Sequence, residues 1–110
     1  MDHVFQALSS AIRRQILAYL SKTSLTAGEI SEKFDISKPA LSRHLNVLLH
    51  AGLIKSEKQG QYIHYSLAKD NLFASMNDFL VNFCPRGRPL KLESEEIRKK
   101  KQEKEGTNST

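Results

Sequence analysis

Apolar residues keep helical spacing along the first half of the chain and then change period. Val4, Phe5 and Leu8 form a short apolar face and predict a first helix. Ser9 or Ser10 can cap a second, in which Ile12, Ile16, Leu17 and Leu20 share one stripe with Arg13 and Arg14 beside it. The polar run from Ser21 breaks the pattern. Thr26 opens a third helix, and Glu29 three positions on completes a capping box: the hydroxyl takes one orphan N–H and the carboxylate reaches back for another. Ile30 and Phe34 mark its apolar side. After Asp35-Ile36, Ser37 caps a fourth helix. Pro39 sits in its first turn, where N–H groups lack intrahelical partners anyway. Leu41, Leu45 and Leu48 line one face of that helix, and Gly52 ends it.

Beyond Gly52 the period falls to two. Leu53 to Lys58 and Tyr62 to Leu67 predict strands around Gln59-Gly60-Gln61. Ile63, Tyr65 and Leu67 share one face of the second strand; Tyr62, His64 and Ser66 share the other. Asp70 then caps a last helix whose broad face holds Leu72, Phe73, Met76, Phe79, Leu80 and Phe83. The order α-α-α-α-β-β-α defines a mainly α (α+β) winged helix-turn-helix. The folded domain is expected over residues 1–84. Residues 85–110 are poor in large apolar side chains and are expected to be a basic, largely disordered tail. Glu95→Lys99 and Glu96→Lys100 pairs support a fraying helix between 93 and 104.

Composition sharpens this picture. With 110 residues the chain suits one small domain, and so limited a core gains from dimerisation. The single cysteine, Cys84, excludes an intrachain disulfide and fits a reducing compartment. No signal peptide and no apolar run of about 18 residues is evident, so a cytoplasmic protein without membrane insertion is expected. The net charge of +5 is unevenly spread. Residues 1–35 balance four basic against four acidic side chains, whereas residues 36–69 set Lys38, Arg43, Lys55, Lys58 and Lys69 against Glu57 alone. A basic middle suits a polyanion such as nucleic acid.

The fourth helix explains how. With Leu41, Leu45 and Leu48 against a core, Arg43 and His50 fall opposite. Pro39 and Asn46 lie near them, Lys38 and Ser42 to one side, and His44 on the flank. Residues 38–50 would enter a major groove about 12 Å wide. Arg43 can pair with guanine, Asn46 can read adenine, and Ser37 and Lys38 can meet phosphates. The hairpin over 55–66 would be the wing, with Lys55, Lys58, Gln59 and Gln61 toward the backbone or minor groove.

The stretch ISKPALSRHLNVLLHAGLIKSEKQGQYIHYSL, with AIRRQILAYL before it, strongly resembles the winged-helix repressors of the ArsR/SmtB type. The resemblance covers residues 2–83 and is nearest to a metal-site-free, SdpR-like autorepressor branch. It implies a homodimer that binds a pseudo-palindromic operator and represses transcription, with no cofactor. It also implies a dimer interface from the first and last helices: Val4, Phe5 and Leu8 with Phe73, Met76, Phe79, Leu80 and Phe83. An inducer of this branch would be a protein anti-repressor or the repressor's own concentration.

Many relatives sense metals, through cysteines before the recognition helix or through His and carboxylates on the last helix. LTAGEISEKF has no cysteine, and DNLFASMNDFLVNFC has Asp70 and Asp78 but no histidine. His3, His44, His50 and His64 are not ligand-spaced, so no metal site is assigned. A redox role for Cys84 would need its symmetry mate as partner. Arg86-Gly87-Arg88-Pro89 resembles the core of an AT-hook, a minor-groove arm; a plain basic linker is the competing reading. No phosphate loop, nucleophile–base pair or paired acids suggests an enzyme. The rival classes are a winged-helix protein-interaction module and a metal- or redox-responsive repressor; a docking module would need apolar anchors on the outer face of the fourth helix.

Overall fold

The computed structural model describes residues 2–83 and 89–108. In order these form α1 (Asp2–Leu8), α2 (Ala11–Tyr19), β1 (Leu25–Thr26), α3 (Ala27–Ser31), α4 (Lys38–His50), β2 (Ile54–Gln59), β3 (Tyr62–Leu67), α5 (Lys69–Leu80), a 3-10 turn (Val81–Phe83) and α6 (Pro89–Asn108). The chain divides into two compact units, Met1–Ser75 and Met76–Thr110, with the boundary inside α5.

The first unit is built around the stripes read from the sequence. Val4 and Ala7 of α1, Ile16, Leu17 and Leu20, and Ile30 of α3 are buried with Leu41, Leu45 and Leu48 of α4. Leu53, Ile54 and Ala68 close the core. Among the described residues no polar or charged side chain is buried.

Each helix terminus has a local cause. Ser10 accepts from the Arg13 N–H and caps α2. Thr26 forms the predicted capping box: its N–H donates to Glu29 Oε1 at 2.9 Å, and its Oγ1 accepts from the Glu29 N–H at 3.2 Å. The Thr26 backbone N–H holds the Glu29 carboxyl below its ordinary value. Ser37 Oγ accepts from the Ala40 N–H at 3.2 Å to start α4. The far end of α4 is a Schellman motif: Leu53 N–H donates to Leu48 O at 3.1 Å and Gly52 N–H to Leu49 O at 3.0 Å. Gly52 takes φ +74, and the two leucines of the motif, Leu48 and Leu53, are fully buried.

The sheet is antiparallel in the order β1-β3-β2. Gln59 pairs with Tyr62 across the Gly60-Gln61 loop. Gly60 has φ +64 at the first loop position, the pattern of a type II′ hairpin turn. The third strand was not expected. Leu25 and Thr26 pair with Tyr65 and His64, so Thr26 ends a strand and caps a helix at once. A two-residue strand is too short to show a period. The last helix of the domain starts at Lys69, one residue before the expected cap, which puts Asp70 in its first turn.

The second unit contains the end of α5, the 3-10 turn and α6. Phe79 and Phe83 pack with ring centroids 5.1 Å apart. α6 is longer than the 93–104 helix expected in the tail. Pro89 suits a first helical position. The described side chains of α6 are exposed apart from a half-buried Glu95.

Gly52→Ala is expected to cost about 1–2 kcal/mol, the penalty of a left-handed conformation at a residue with a Cβ. The added Cβ would meet only Asn71 Nδ2, at an ordinary 3.6 Å, so the cost is conformational. A fall in the urea midpoint at constant m-value measures it.

Candidate nucleic-acid interface

α4 separates its residues as its wheel demands. Leu41, Leu45 and Leu48 face the core, while Lys38, Pro39, Ser42, Arg43, Asn46 and His50 are exposed. Four of these, Lys38, Ser42, Arg43 and Asn46, offer hydrogen-bonding groups within the first turns, the part of a recognition helix that meets base edges. Ser37 is also exposed. Its oxygen accepts the capping bond, and its O–H proton is not used by that bond.

His44 is placed differently from the other candidates. It is half-buried on the flank of α4 and meets Arg13 of α2, with Nη1 3.1 Å from its Nδ1. A guanidinium has no acceptor, so Nδ1 must accept and the imidazole is neutral with its proton on Nε2. Burial first, then the charges of Arg13 and Arg43, hold His44 below its ordinary pKa. His44 therefore belongs to the internal bracing of the helix, not to its open polar face. Arg13 is the partner of His44 that sequence reading missed. Its Nε donates to Ala7 O at 2.8 Å and its Nη2 to Gln6 O at 3.0 Å, covering carbonyls at the C-terminal end of α1. Arg14 Nη1 donates to Leu8 O at 2.6 Å beside it. The sequence signal was two adjacent arginines with no acidic residue near them.

The wing residues do not share one face. The register puts Lys55 opposite Ser66, Glu57 opposite His64 and Gln59 opposite Tyr62 on one side. Lys58 lies opposite Ile63 on the other side, which also carries Ile54, Tyr65 and Leu67. Lys55 and Gln59 can thus approach a surface together, whereas Lys58 cannot join them without twist at the tip. Lys55, Lys58, Gln59 and Gln61 are all exposed, as are Tyr62 and Ile63.

The expected interface residues of the first and last helices also separate. Val4 is turned into the core of its own unit and leaves that set. Phe5 is exposed and Leu8 half-buried. On α5 no residue is buried: Met76 is half-buried, and Phe73 and Leu80 are 63% and 56% exposed. Phe79 is 41% and Phe83 67% exposed.

Among the described residues no group of three or more potential ligands could hold a metal ion. His3 and His50, far apart in sequence, meet edge to face with ring centroids 6.0 Å apart. Cys84 and the Arg86, Gly87 and Arg88 of the arm lie outside the described residues, and Pro89 is the first residue of α6. No described helix is long and apolar enough to cross a membrane.

Comparison with known proteins places this geometry. Residues 10–56 match the arsR family of bacterial regulatory proteins. The chain is 45% identical over 87 residues to the transcriptional repressor SdpR of Bacillus subtilis (strain 168), covering 79% of this chain and 96% of that protein. The chain belongs to the ArsR family. It is also 34% identical over 81 residues to the transcriptional activator HlyU of Vibrio cholerae, covering 74% of this chain and 75% of HlyU. An ArsR-like transcriptional regulator from Rhodococcus sp. RHA1 superposes with a TM-score of 0.70 at 26% identity, over 99% of this chain and 91% of that one. The family match ends within β2, so it holds α2, the helix-turn-helix and only the start of the wing.

His44 gives the fold a pH dependence. Its folded pKa lies below the ordinary 6.5, so the unfolded chain takes up the proton more readily. That share of stability is complete above about pH 6.5 and is lost as pH falls from there through the folded pKa. Urea midpoints should decline over this window in the wild type and decline less in His44→Asn.

Proposed function

We propose that this ArsR-family chain is a dimeric, sequence-specific DNA-binding repressor acting in the cytoplasm. The observation that carries this reading is the outer face of α4. It holds Lys38, Ser42, Arg43 and Asn46, all exposed, on a helix whose other face is buried. Arg43 would read guanine and Asn46 adenine in the major groove, with Lys38 and Ser37 on phosphates. Lys55 and Gln59 would set one face of the wing against the backbone. The absence of apolar anchors on this face of α4 argues against a protein-docking module.

The dimer would form through α1 and α5. Phe73, Leu80 and Phe83 are large apolar side chains left exposed, and Phe5, Leu8, Met76 and Phe79 extend the same set. A two-fold axis would then place two α4 helices in successive major grooves about 34 Å apart. Repression is favoured over activation by the extent and identity of the match to SdpR, a named repressor. A protein anti-repressor fits a regulator to which no metal site is assigned.

Arg43→Ala should weaken operator binding by about 1–3 kcal/mol and relax preference at one base position. Fluorescence anisotropy with single-base operator variants reads both; wild-type affinity in this variant would mean that α4 is wrongly docked. Removing residues 85–110 should weaken binding and flatten its salt slope if the basic arm adds phosphate or minor-groove contacts. An unchanged slope assigns those residues no part in binding.

A further inference from the structure

One guanidinium connects the two helices that the DNA-binding reading assigns to different tasks. Arg13 donates to Gln6 O and Ala7 O at the end of α1, and to His44 Nδ1 on the recognition helix. Those three bonds use three separate N–H groups of a rigid fork. Arg13 and His44 are both half-buried, and the three bonds hold the fork in place on the surface of the unit.

We propose that Arg13 and neutral His44 form a positioning joint that fixes the rotation of α4 against α1, and that protonating His44 opens this joint and lowers discrimination between operator and other DNA. The proposal rests on the DNA-binding reading and names a residue within it that touches no base. Its chemistry follows from the donor count. Nδ1 can accept from Arg13 only while it carries no proton; once protonated, it presents an N–H to a guanidinium that also has only donors. The charged groups acting on His44 are Arg13 from α2 and Arg43 from α4 itself, both cations. Among the described residues, no carboxylate acts on His44 to offset them. Protonation would therefore add a third positive charge and remove a hydrogen bond in the same step. α4 would keep its leucine stripe in the core but lose the bond that holds its flank, so phosphate contacts would survive better than base contacts. The expected consequence is loss of specificity before loss of non-specific affinity.

The test uses the full chain and a duplex enriched by the wild type from a random-sequence pool, with a scrambled duplex as reference. Anisotropy is measured between about pH 8 and about pH 5.5 for the wild type, Arg13→Gln and His44→Asn. The asparagine amide oxygen can take the place of Nδ1 and does not titrate. At the high pH, Arg13→Gln should lose about tenfold in preference for the enriched duplex. The wild type should lose preference progressively as acidification protonates His44, and His44→Asn should keep its preference throughout. Arg13→Gln matching the wild type at both pH values overturns the proposal, as does an equally steep pH loss in His44→Asn. Imidazole ¹⁵N spectra read the joint without DNA. The wild type should show His44 with its proton on Nε2 and a depressed pKa that moves toward the ordinary value in Arg13→Gln. A proton on Nδ1, or the same titration in both proteins, overturns the proposal. If Arg13→Gln does not fold, the His44→Asn profile and the wild-type spectra decide. If the wild type enriches no sequence at all, the DNA-binding reading fails, and the spectra still report separately on the joint.

Discussion

The burial of Leu41, Leu45 and Leu48 governs the rest of this molecule. An α-helix turns about 100° per residue, so burying three side chains on one stripe sets which way the helix faces. Once those leucines are inside, Arg43 and Asn46 must be outside. Each buried leucine contributes on the order of 1.5–3 kcal/mol, against about 1 kcal/mol for a cap such as Ser37. The core therefore sets which face is exposed. The Ser37 cap and the Gly52 Schellman motif set where the helix begins and ends. Together they place the polar side chains on the first turns, where they can reach a groove.

The wing hangs from the same core by short links. Leu53 is fully buried immediately after Gly52, its carbonyl accepts from the Ala68 N–H at 2.9 Å, and Asn71 Nδ2 donates to Gly52 O at 3.1 Å. The end of α4, the base of the hairpin and the start of α5 thus meet within a few residues. β1 adds a second link. Thr26 pairs with His64 in the sheet and caps α3 with its side chain, so the first helix of the helix-turn-helix is tied to the wing strand. A hairpin alone is marginal in water; a third strand and a helix behind it make the wing a fixed part of the unit.

α5 follows a different logic. It has a wide apolar face and no buried residue among those described. Such an exposed apolar face is the surface that the proposed dimer would cover. α1 shows the complementary division: Val4 and Ala7 serve the core of one copy, which leaves Phe5 and Leu8 on the outer side.

Much of this was legible in the amino-acid order. Periods of about 3.6 and 2, the Thr26-to-Glu29 capping box, the Ser37 cap, Pro39 and Gly52 depend on residues close together in the chain, and such signals define elements and their exposed faces. They gave the winged helix-turn-helix and the polar face of α4. Three things escaped them. The two-residue β1 has no period and exists only because β3 lies beside it. The division of Lys55 and Lys58 between opposite sides of the hairpin depends on strand register. The Arg13 bonds join residues up to 31 positions apart, and nothing local to Arg13 or His44 names the other. The sequence by itself determined the helices and the hairpin strands of the winged unit and which side of each is apolar, because those are near-neighbour properties of the backbone. Only the tertiary structure decided which polar groups meet, and so gave His44, expected on the flank, its partner in Arg13, because such a pairing depends on how separate helices pack.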